Sequence, residues 1–358
     1  MDNRPEILYE SKHTAADLEQ LRNTHKIWVE RNEYDSQLEE LFFINNPAAK
    51  FDPNKDKLLA DFISGRTKAS KNFTGNYIYY PWRGGFVHVL EEDEYFKVRT
   101  NRNRNIISEE DQRKLYNANV AILGLSIGGG MAANLAYSGI ARNMKLADFD
   151  TLSLSNLNRV QESVMDLGQT KSGIVAHRIY EANPYANLKF YEKGLNDSNL
   201  SEFINGDPKP GLIFEEIDDF EMKIRIRLEA KKAGVPVIML TNLGDRLLID
   251  VERYDLDKDL AVFNGLIGNL DEEILNKPIT EEDKKKYAIL LVGKENLPKN
   301  VYASVLEINK TLVGRPQLSS TVTIAGGLAT YIARKIALKE TVWSGRKKFS
   351  VDSFFDEN

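Results

Sequence analysis

The chain has 358 residues, 42% hydrophobic and 28% charged, with 48 Lys and Arg against 53 Asp and Glu for a formal charge of −5. That is the composition of a globular protein with a sizeable core, long enough for one large domain or two smaller ones, and without the basic excess of general nucleic-acid or membrane-surface binders. It contains no cysteine, which excludes disulfides, thiolate zinc sites, a cysteine nucleophile and a persulfide or thioester on the chain's own sulfur.

The four histidines, His13, His25, His88 and His177, are far apart, so a His-rich metal centre is not expected. No apolar run reaches the ~18 residues of a membrane span, and no charged-then-apolar leader opens the chain. The expected location is the cytoplasm.

Over the first 75 residues, helix-compatible stretches fall around 15–22 and 55–65. Residues 76–90 are rich in aromatic and β-branched side chains around Trp82-Arg83-Gly84-Gly85, the pattern of a hairpin with a glycine turn. A basic, Asn-rich stretch follows (Arg99-Thr100-Asn101-Arg102-Asn103-Arg104-Asn105), and a short helix is expected after Ser108 with Asp111 as its cap partner. From Asn119 the pattern changes. Val120-Ala121-Ile122-Leu123 suits a strand buried on both faces of a parallel sheet. A glycine-rich turn, a helix over 131–139 and a strand over 144–147 ending at Asp148 come next. The same rhythm continues with a helix over 172–182, strands over 188–191 and 211–214, a helix over 221–233 and a strand over 235–240.

This alternation predicts an α/β fold, a doubly wound Rossmann-like and mostly parallel sheet over 101–358, preceded by a smaller N-terminal α+β module over 1–100. Farther on, Asp250-Val251-Glu252-Arg253-Tyr254 reads as a strand end continuing the sheet. Leu328, Ile332, Ile336 and Leu338 mark a helix packed on the core. Lys284-Lys285-Lys286 and Arg346-Lys347-Lys348 read as solvated faces. Residues 281–286 and 296–300 are candidate covers for an active site, and the acidic tail over 352–358 is expected to be loose.

The turn reads Gly124-Leu125-Ser126-Ile127-Gly128-Gly129-Gly130. As G-x-G-x-x-G it has Gly124 and Gly129 in place, but Ser126 stands where a pyrophosphate approaches the backbone closely. Amides at the following helix N-terminus would meet phosphate oxygens, and Asp148 at the next strand end suits ribose hydroxyls. A tight strand–helix turn without a nucleotide is the plainer alternative. The same residues spell G-x-S-x-G, the hydrolase nucleophile elbow. That reading needs a later Asp and then a His, and only His177, inside an expected helix, follows Ser126.

What lies downstream separates these readings. Asp148-Phe149-Asp150 leads into Ser153-Leu154-Ser155-Asn156-Leu157-Asn158-Arg159 and then Lys171. A dinucleotide dehydrogenase needs no such cations after its ribose acid, whereas ATP brings a highly charged triphosphate that Arg159 and Lys171 can neutralise while Asn156 holds a phosphate or ribose oxygen. Ile213-Phe214-Glu215-Glu216-Ile217-Asp218-Asp219-Phe220 puts acids at a strand's carboxyl end, where a carboxylate can hold Mg²⁺ against phosphates.

With these motifs in order, residues 100–260 resemble the ThiF/MoeB/HesA group, the adenylating enzymes related to ubiquitin-activating enzymes. The resemblance implies that Arg159 and Lys171 bind triphosphate, that Asp148 holds ribose, and that Asp218 binds Mg²⁺ and is essential. Gly124, Ser126, Gly128, Gly129, Asp150 and Asn156 complete the implied ATP site. The resemblance further implies a homodimer in which an arginine ahead of the first strand reaches the partner's site. Arg104 fits that role best, with Arg102 as the alternative. Three departures stand out. Ser126 replaces a usual glycine, Lys223 replaces the arginine that usually follows the late Asp, and the paired Cys-x-x-Cys zinc site is absent, so no zinc is expected.

The implied reaction is attack of a carboxylate on the ATP α-phosphate, with Arg104, Arg159, Lys171 and Mg²⁺ on Asp218 offsetting charge on the departing pyrophosphate. Without a protein thiol, the acyl-adenylate must be captured by a nucleophile of the substrate. A cysteine-free chain with about 100 residues in front resembles the branch that matures ribosomally made peptides, such as the enzymes of microcin C and pantocin A. Tyr77, Tyr80, Trp82 and Phe86 could then present a strand edge and aromatic surface to a precursor peptide, or simply pack the front segment. The alternatives are a tRNA-modifying dehydratase, which the acidic balance disfavours, an adenylyltransferase of a small carboxylate, and a non-catalytic partner subunit. The last predicts a lost Asp, Arg or Lys, and none is lost.

Overall fold

The structure, a computed structural model, describes residues 3–69 and 72–355. Its chain divides into two units, one running up to residue 112 and taking in 176–185, the other holding 113–175 and 186–358.

In the first unit the order is β1 (Glu6–Leu8), α1 (Ala15–Thr24), β2 (Val29–Asn32), α2 (Tyr34–Asn45), α3 (Lys55–Ala69), β3 (Asn76–Tyr80), β4 (Gly85–Val89) and α4 (Glu92–Thr100). Helix α1 begins at Thr14, whose backbone N–H donates to Asp17 at 2.7 Å in a capping box. The expected hairpin is present as the antiparallel pair β3–β4. Its turn needs glycine, because Gly84 has φ +54 and a Cβ there would lie 2.0 Å from Trp28. The four-stranded sheet runs β1-β3-β4-β2. The hairpin strands are therefore interior, and the free edges belong to β1 and β2.

Two apolar clusters hold this unit. Leu8, Leu21, Phe73, Tyr79 and Phe86 form one, and Tyr34, Leu38, Leu41 and Leu90 form the other. Helices α2 and α4, which the sequence pattern did not announce, supply part of the second cluster through Leu38, Leu41, Tyr95 and Val98. The aromatic residues expected to face a peptide are used differently. Phe86 is fully buried, and Tyr80 is 8% exposed with its hydroxyl donating to the Tyr180 carbonyl. Tyr77 stacks on His88 at 4.1 Å, and Trp82 stacks on His177 at 4.1 Å while its Nε1 donates to Glu181. The expectation of a peptide-facing surface on Tyr80 and Phe86 is thus corrected. Both pack the unit's own interior, as large aromatic rings do when a partner for the hydroxyl is within reach.

The second unit follows α5 (Glu109–Tyr116), which spans the division and is capped as expected by Ser108, whose Oγ accepts from the Asp111 N–H at 3.1 Å. Then come β5 (Asn119–Leu123), α6 (Ile127–Tyr137), β6 (Asn143–Ala147), α7 (Lys171–Ala182), β7 (Asn187–Tyr191), α8 (Leu200–Asn205), β8 (Leu212–Glu215), α9 (Phe220–Ala233), β9 (Val237–Leu243), β10 (Arg246–Glu252), α10 (Leu270–Asn276), α11 (Glu281–Val292), α12 (Lys299–Glu307), α13 (Ser319–Ala337) and β11 (Gly345–Ser350). The seven-stranded sheet runs β11-β10-β9-β8-β5-β6-β7. The pairs from β9 to β7 are parallel, and β10 and β11 are antiparallel. This is the mixed α/β, doubly wound sheet the sequence predicts. Val120 to Leu123 are all at most 1% exposed, which explains their unbroken apolar run.

Helix α13 lies against α6 at Gly326, where a Cβ would meet Asn134 at 2.4 Å. Helix α9 is held at both ends, by Asp219 accepting from the Met222 N–H at 2.8 Å and by Gly234 at φ 64. Helices α10 and α11 contribute Ile274, Tyr287 and Leu291 to a core cluster with Phe220, Ile224 and Met239, so α11 is core on one face rather than only a cover. The solvated-face reading of Arg346 is also corrected. On β11 its guanidinium forms a two-pronged pair with Asp250 at 2.7 and 2.9 Å and donates to the last carbonyls of α11 at Leu291 and Val292. Among the described residues no helix is long and apolar enough to cross a membrane.

Candidate nucleotide site

Strands β5, β6 and β7 run out to one side, and the chain then returns to place β8 on the other side of β5. The carboxyl ends of β8, β5 and β6 therefore flank a topological switch point, where open α/β sheets bind ligands. Of the residues singled out from the sequence, the Gly124–Gly129 turn, Asp148, Asp150 and Lys171 lie on this edge, whereas Arg104 belongs to the first unit.

At the end of β5, Gly124 has φ +79 and a Cβ on it would sit 2.5 Å from the Glu216 carbonyl oxygen. Glycine is thus required both for backbone conformation and for the approach of the β8–α9 loop. Gly128 and Gly129 open α6, and a Cβ on them would lie 2.8 Å from Ile122 and 2.8 Å from Val175 respectively. These two glycines bring the helix down onto β5 and α7. Ser126, in the place of the second fingerprint glycine, has a buried hydroxyl oxygen with no hydrogen-bond partner. An orphaned polar atom at a helix N-terminus fits a phosphate oxygen as its missing partner. Replacing Gly124 with Ala is expected to lower the stability of the fold by about 1–3 kcal/mol, because the residue must either strain or displace the Glu216 backbone. A urea titration checks this, and nucleotide affinity should fall with it.

Across from the turn, the Asp148 carboxylate accepts from the Leu125 N–H at 2.6 Å and from the Asp150 N–H at 2.7 Å. It is 9% exposed and ties the strand end to the glycine turn, leaving its remaining lone pairs for hydroxyl donors. Asp150 accepts from Lys171 Nζ at 2.8 Å, and the Lys171 N–H donates to the Asp150 carbonyl at 2.9 Å. Lys171 opens α7 and is itself buried. Asn156 uses its side-chain oxygen to accept from the Ser153 N–H at 3.1 Å, so it shapes its own loop. Arg159 is half-buried. Its Nη1 donates to Asn158 Oδ1 at 2.9 Å and to the Ser155 carbonyl at 3.3 Å, and its Nε is buried without a partner. Burial lowers the Arg159 pKa, the Arg315 charge lowers it further, and the Asp218 charge acts in the opposite direction. Arg315 and Asp218 thus each act on the charge of Arg159.

Asp218 is exposed in the β8–α9 loop, with its neighbour Asp219 capping α9. Beneath this loop lies a buried ionic network that sequence reasoning did not anticipate. Glu215 pairs with Lys223 at 2.9 Å and with Arg227 at 2.6 Å, and Arg227 pairs with Glu252 at 2.7 Å. Glu252 also accepts from the Tyr254 hydroxyl and the Phe263 N–H, both at 2.6 Å. Lys223, noted in the sequence as a replacement for arginine, belongs to this interior network. Glu215 Oε1 additionally accepts from the Ile217 N–H at 3.0 Å, which props the segment carrying Asp218. Glu216 turns its carboxyl to the Leu240 N–H at 2.8 Å, and burial pushes its pKa well above the usual carboxylate range.

Two contacts tie the Arg159 loop to the start of α13, Asn158 Nδ2 to the Gln317 carbonyl at 3.0 Å and Gln161 Nε2 to Thr323 Oγ1 at 3.2 Å. No motif around 315–323 announced this. Arg104 lies on an exposed turn of the first unit. Among the described residues no group of three or more His, Cys, Asp or Glu side chains is assembled for a metal. A lone carboxylate such as Asp218 beside phosphates suits Mg²⁺, which is commonly held by one or two carboxylates and the phosphates of its substrate.

Residues 100–244 match the ThiF family. An uncharacterised protein of Mycobacterium tuberculosis is 37% identical over 78% of this chain and 38% of its own length. The molybdopterin-synthase adenylyltransferase of Haemophilus influenzae is 30% identical over 38% of this chain and 57% of that protein. The tRNA threonylcarbamoyladenosine dehydratase of Bacillus subtilis is 27% identical over 43% of this chain and 60% of that protein. The chain therefore spans between 38% and 60% of the length of these three relatives. Among solved structures, Escherichia coli MccB with ATP has the same fold, with a TM-score of 0.51 at 18% identity over 84% of this chain and 76% of that one.

Proposed function

From the premise that residues 100–244 form a ThiF-family domain, we propose that this chain is an ATP- and Mg²⁺-dependent adenylyltransferase that activates a carboxylate of a precursor peptide. The observation that carries the adenylation reading is the switch-point edge itself, where the Gly124–Gly129 turn is flanked by Asp148 on one side and the Asp218 loop on the other. In the reaction a substrate carboxylate oxygen bonds to the α-phosphorus of ATP. The bond from that phosphorus to the bridging oxygen breaks, and pyrophosphate leaves with the electron pair.

Asp148 orients the ribose, and the amides and Ser126 hydroxyl of the turn receive the α-phosphate. Lys171 and Arg159 compensate the charge that moves onto the pyrophosphate. Lys171 is held by Asp150, so phosphate oxygens compete for an ammonium that is already in position. Asp218 would hold Mg²⁺, which when bound would supply further neutralisation of the phosphates. Arg104 of a second copy completes the site in a homodimer.

The chain has no thiol to receive the acyl group, so an amide nitrogen or amine of the substrate attacks the acyl carbon. The C–N bond forms, the acyl C–O bond to AMP breaks, AMP leaves with the electron pair and the nitrogen gives up a proton to water, a net cyclisation or dehydration. Peptide recognition is supported by β2, an edge strand whose four residues are all exposed, and by Trp28 beside it, 69% exposed. An extended peptide can add a strand at such an edge.

ATP–pyrophosphate exchange tests the proposal. Exchange that depends on short acidic peptides encoded beside the gene supports it. Exchange that depends on tRNA or on a small carboxylate overturns the peptide substrate while keeping adenylation, and absence of ATP binding overturns both. The Val29 N–H is used by the Gly84 carbonyl, so by alternation the Glu30 N–H faces the open edge. If β2 is the peptide edge, Glu30→Pro is expected to weaken peptide binding about tenfold or more without changing ATP affinity, as read by fluorescence anisotropy.

A further inference from the structure

We infer that Arg315 is an additional cation of the nucleotide site, set to bind the β- and γ-phosphates that depart as pyrophosphate. The inference rests on the adenylation reading and adds a residue that lies outside the family-matched segment of 100–244.

The placement comes from two tethers. Asn158 donates to the Gln317 carbonyl at 3.0 Å and Gln161 donates to Thr323 at 3.2 Å. Segment 315–323 is thereby fastened along the loop that carries Arg159, and Arg315 stands two positions before the first tether. Pro316 holds the backbone of Arg315 away from helical geometry, so the residue projects from an extended stretch.

Charge supplies the second line of argument. Among the described residues Arg315 makes no ion pair, and it is exposed. Arg159 donates to a carbonyl and an amide oxygen, both neutral, and keeps a buried Nε without a partner. Two guanidinium groups that repel one another, with one exposed carboxylate near Arg159 to offset them, are unfavourable without a ligand. A polyanion relieves that repulsion and fills the orphaned donor at once. The effect on Arg159 is visible in its lowered pKa, to which burial contributes most and Arg315 next.

The glycine turn already offers a place for one phosphate. What Arg159 and Arg315 add is affinity for the two beyond it, so together they make the site prefer ATP over AMP. Binding of ATP, AMP and pyrophosphate to the full chain, measured by titration calorimetry, tests this in wild type, Arg315→Ala and Arg315→Lys. Loss of the guanidinium is expected to weaken ATP and pyrophosphate about 10- to 50-fold, with AMP affinity unchanged and Lys restoring part of the loss. An unchanged ATP-to-AMP preference in Arg315→Ala overturns the inference. So does an equal loss for AMP, which marks a merely structural role for the segment. If the wild-type chain binds no ATP, it is the adenylation reading that fails.

Discussion

Asp218→Ala is expected to lower ATP–pyrophosphate exchange by about 10²- to 10³-fold and to leave the folded state almost untouched. The side chain is exposed, and among the described residues it makes neither a hydrogen bond nor an ion pair. Substitutions at such sites usually change stability by no more than about 0.5 kcal/mol. The capping of α9 rests on Asp219 and the support of the loop on Glu215, so neither is lost. What disappears is the carboxylate proposed to hold Mg²⁺ against the phosphates. Asp218→Asn should fall nearly as far, because an amide keeps the shape but not the charge. Both variants should require more Mg²⁺ for whatever exchange remains. Exchange within about tenfold of wild type at ordinary Mg²⁺ would show that this carboxylate does not do the work assigned to it.

The second large effect is one of stability. Arg227→Met is expected to cost about 3–5 kcal/mol, which for a domain of this size lowers the melting temperature by roughly 10 °C. Arg227 is fully buried between two buried carboxylates, and its guanidinium lies 3.8 Å from the Phe263 ring. Removing it leaves Glu215 with Lys223 and the Ile217 N–H and leaves Glu252 with only the Tyr254 hydroxyl and a backbone amide.

The pH dependence has a definite sign. Burial pushes the Glu215 carboxyl up, but Lys223 and Arg227 together outweigh it and hold the pKa below the usual carboxylate value. In wild type that pairing stabilises the fold above the ordinary carboxylate range and is lost as the pH falls through the depressed value. Burial also dominates at Glu252, whose pKa stays raised despite Arg227. With the guanidinium gone, both carboxyls shift upward and favour the protonated form. The variant should therefore be least stable relative to wild type near pH 8 and recover part of the difference near pH 5. Thermal unfolding at the two pH values measures this. An equal deficit at both would mean that lost packing, not unpaired charge, sets the cost. Because Glu215 also supports Ile217, the variant should bind ATP more weakly even where it is folded.

The second unit was readable because its physics is local. A strand buried on both faces appears as an unbroken apolar run, as at Val120 to Leu123, and the turn after it needs glycine where the φ angle and the Glu216 carbonyl leave no room for a Cβ. Asp148 and Lys171 stand where β6 ends and α7 begins, so element boundaries bring them to the same edge. Helices α2 and α4 were not readable, since their apolar faces are patterned weakly and become stable only when packed against one another. Strand β11 was hidden by Arg346-Lys347-Lys348, which reads as surface until Asp250 and the end of α11 come within reach of Arg346.

The amino-acid sequence by itself determined the alternation of strands and helices along the second unit, the glycine turn, the identities of the acids and cations that follow it, and the lack of any thiol in the chain. Those features depend on residues near one another in the chain, or on residue types alone. Only the tertiary structure decided that residues 176–185 belong with the first unit, that Tyr80 and Phe86 are interior, that Glu215, Lys223, Arg227 and Glu252 form one network, and that Arg315 lies in the field of Arg159. Each of those depends on pairing across long stretches of sequence, and a charge or an aromatic ring looks the same in a string of letters whether its partner is water or a side chain 99 residues away, as Glu181 is from Trp82.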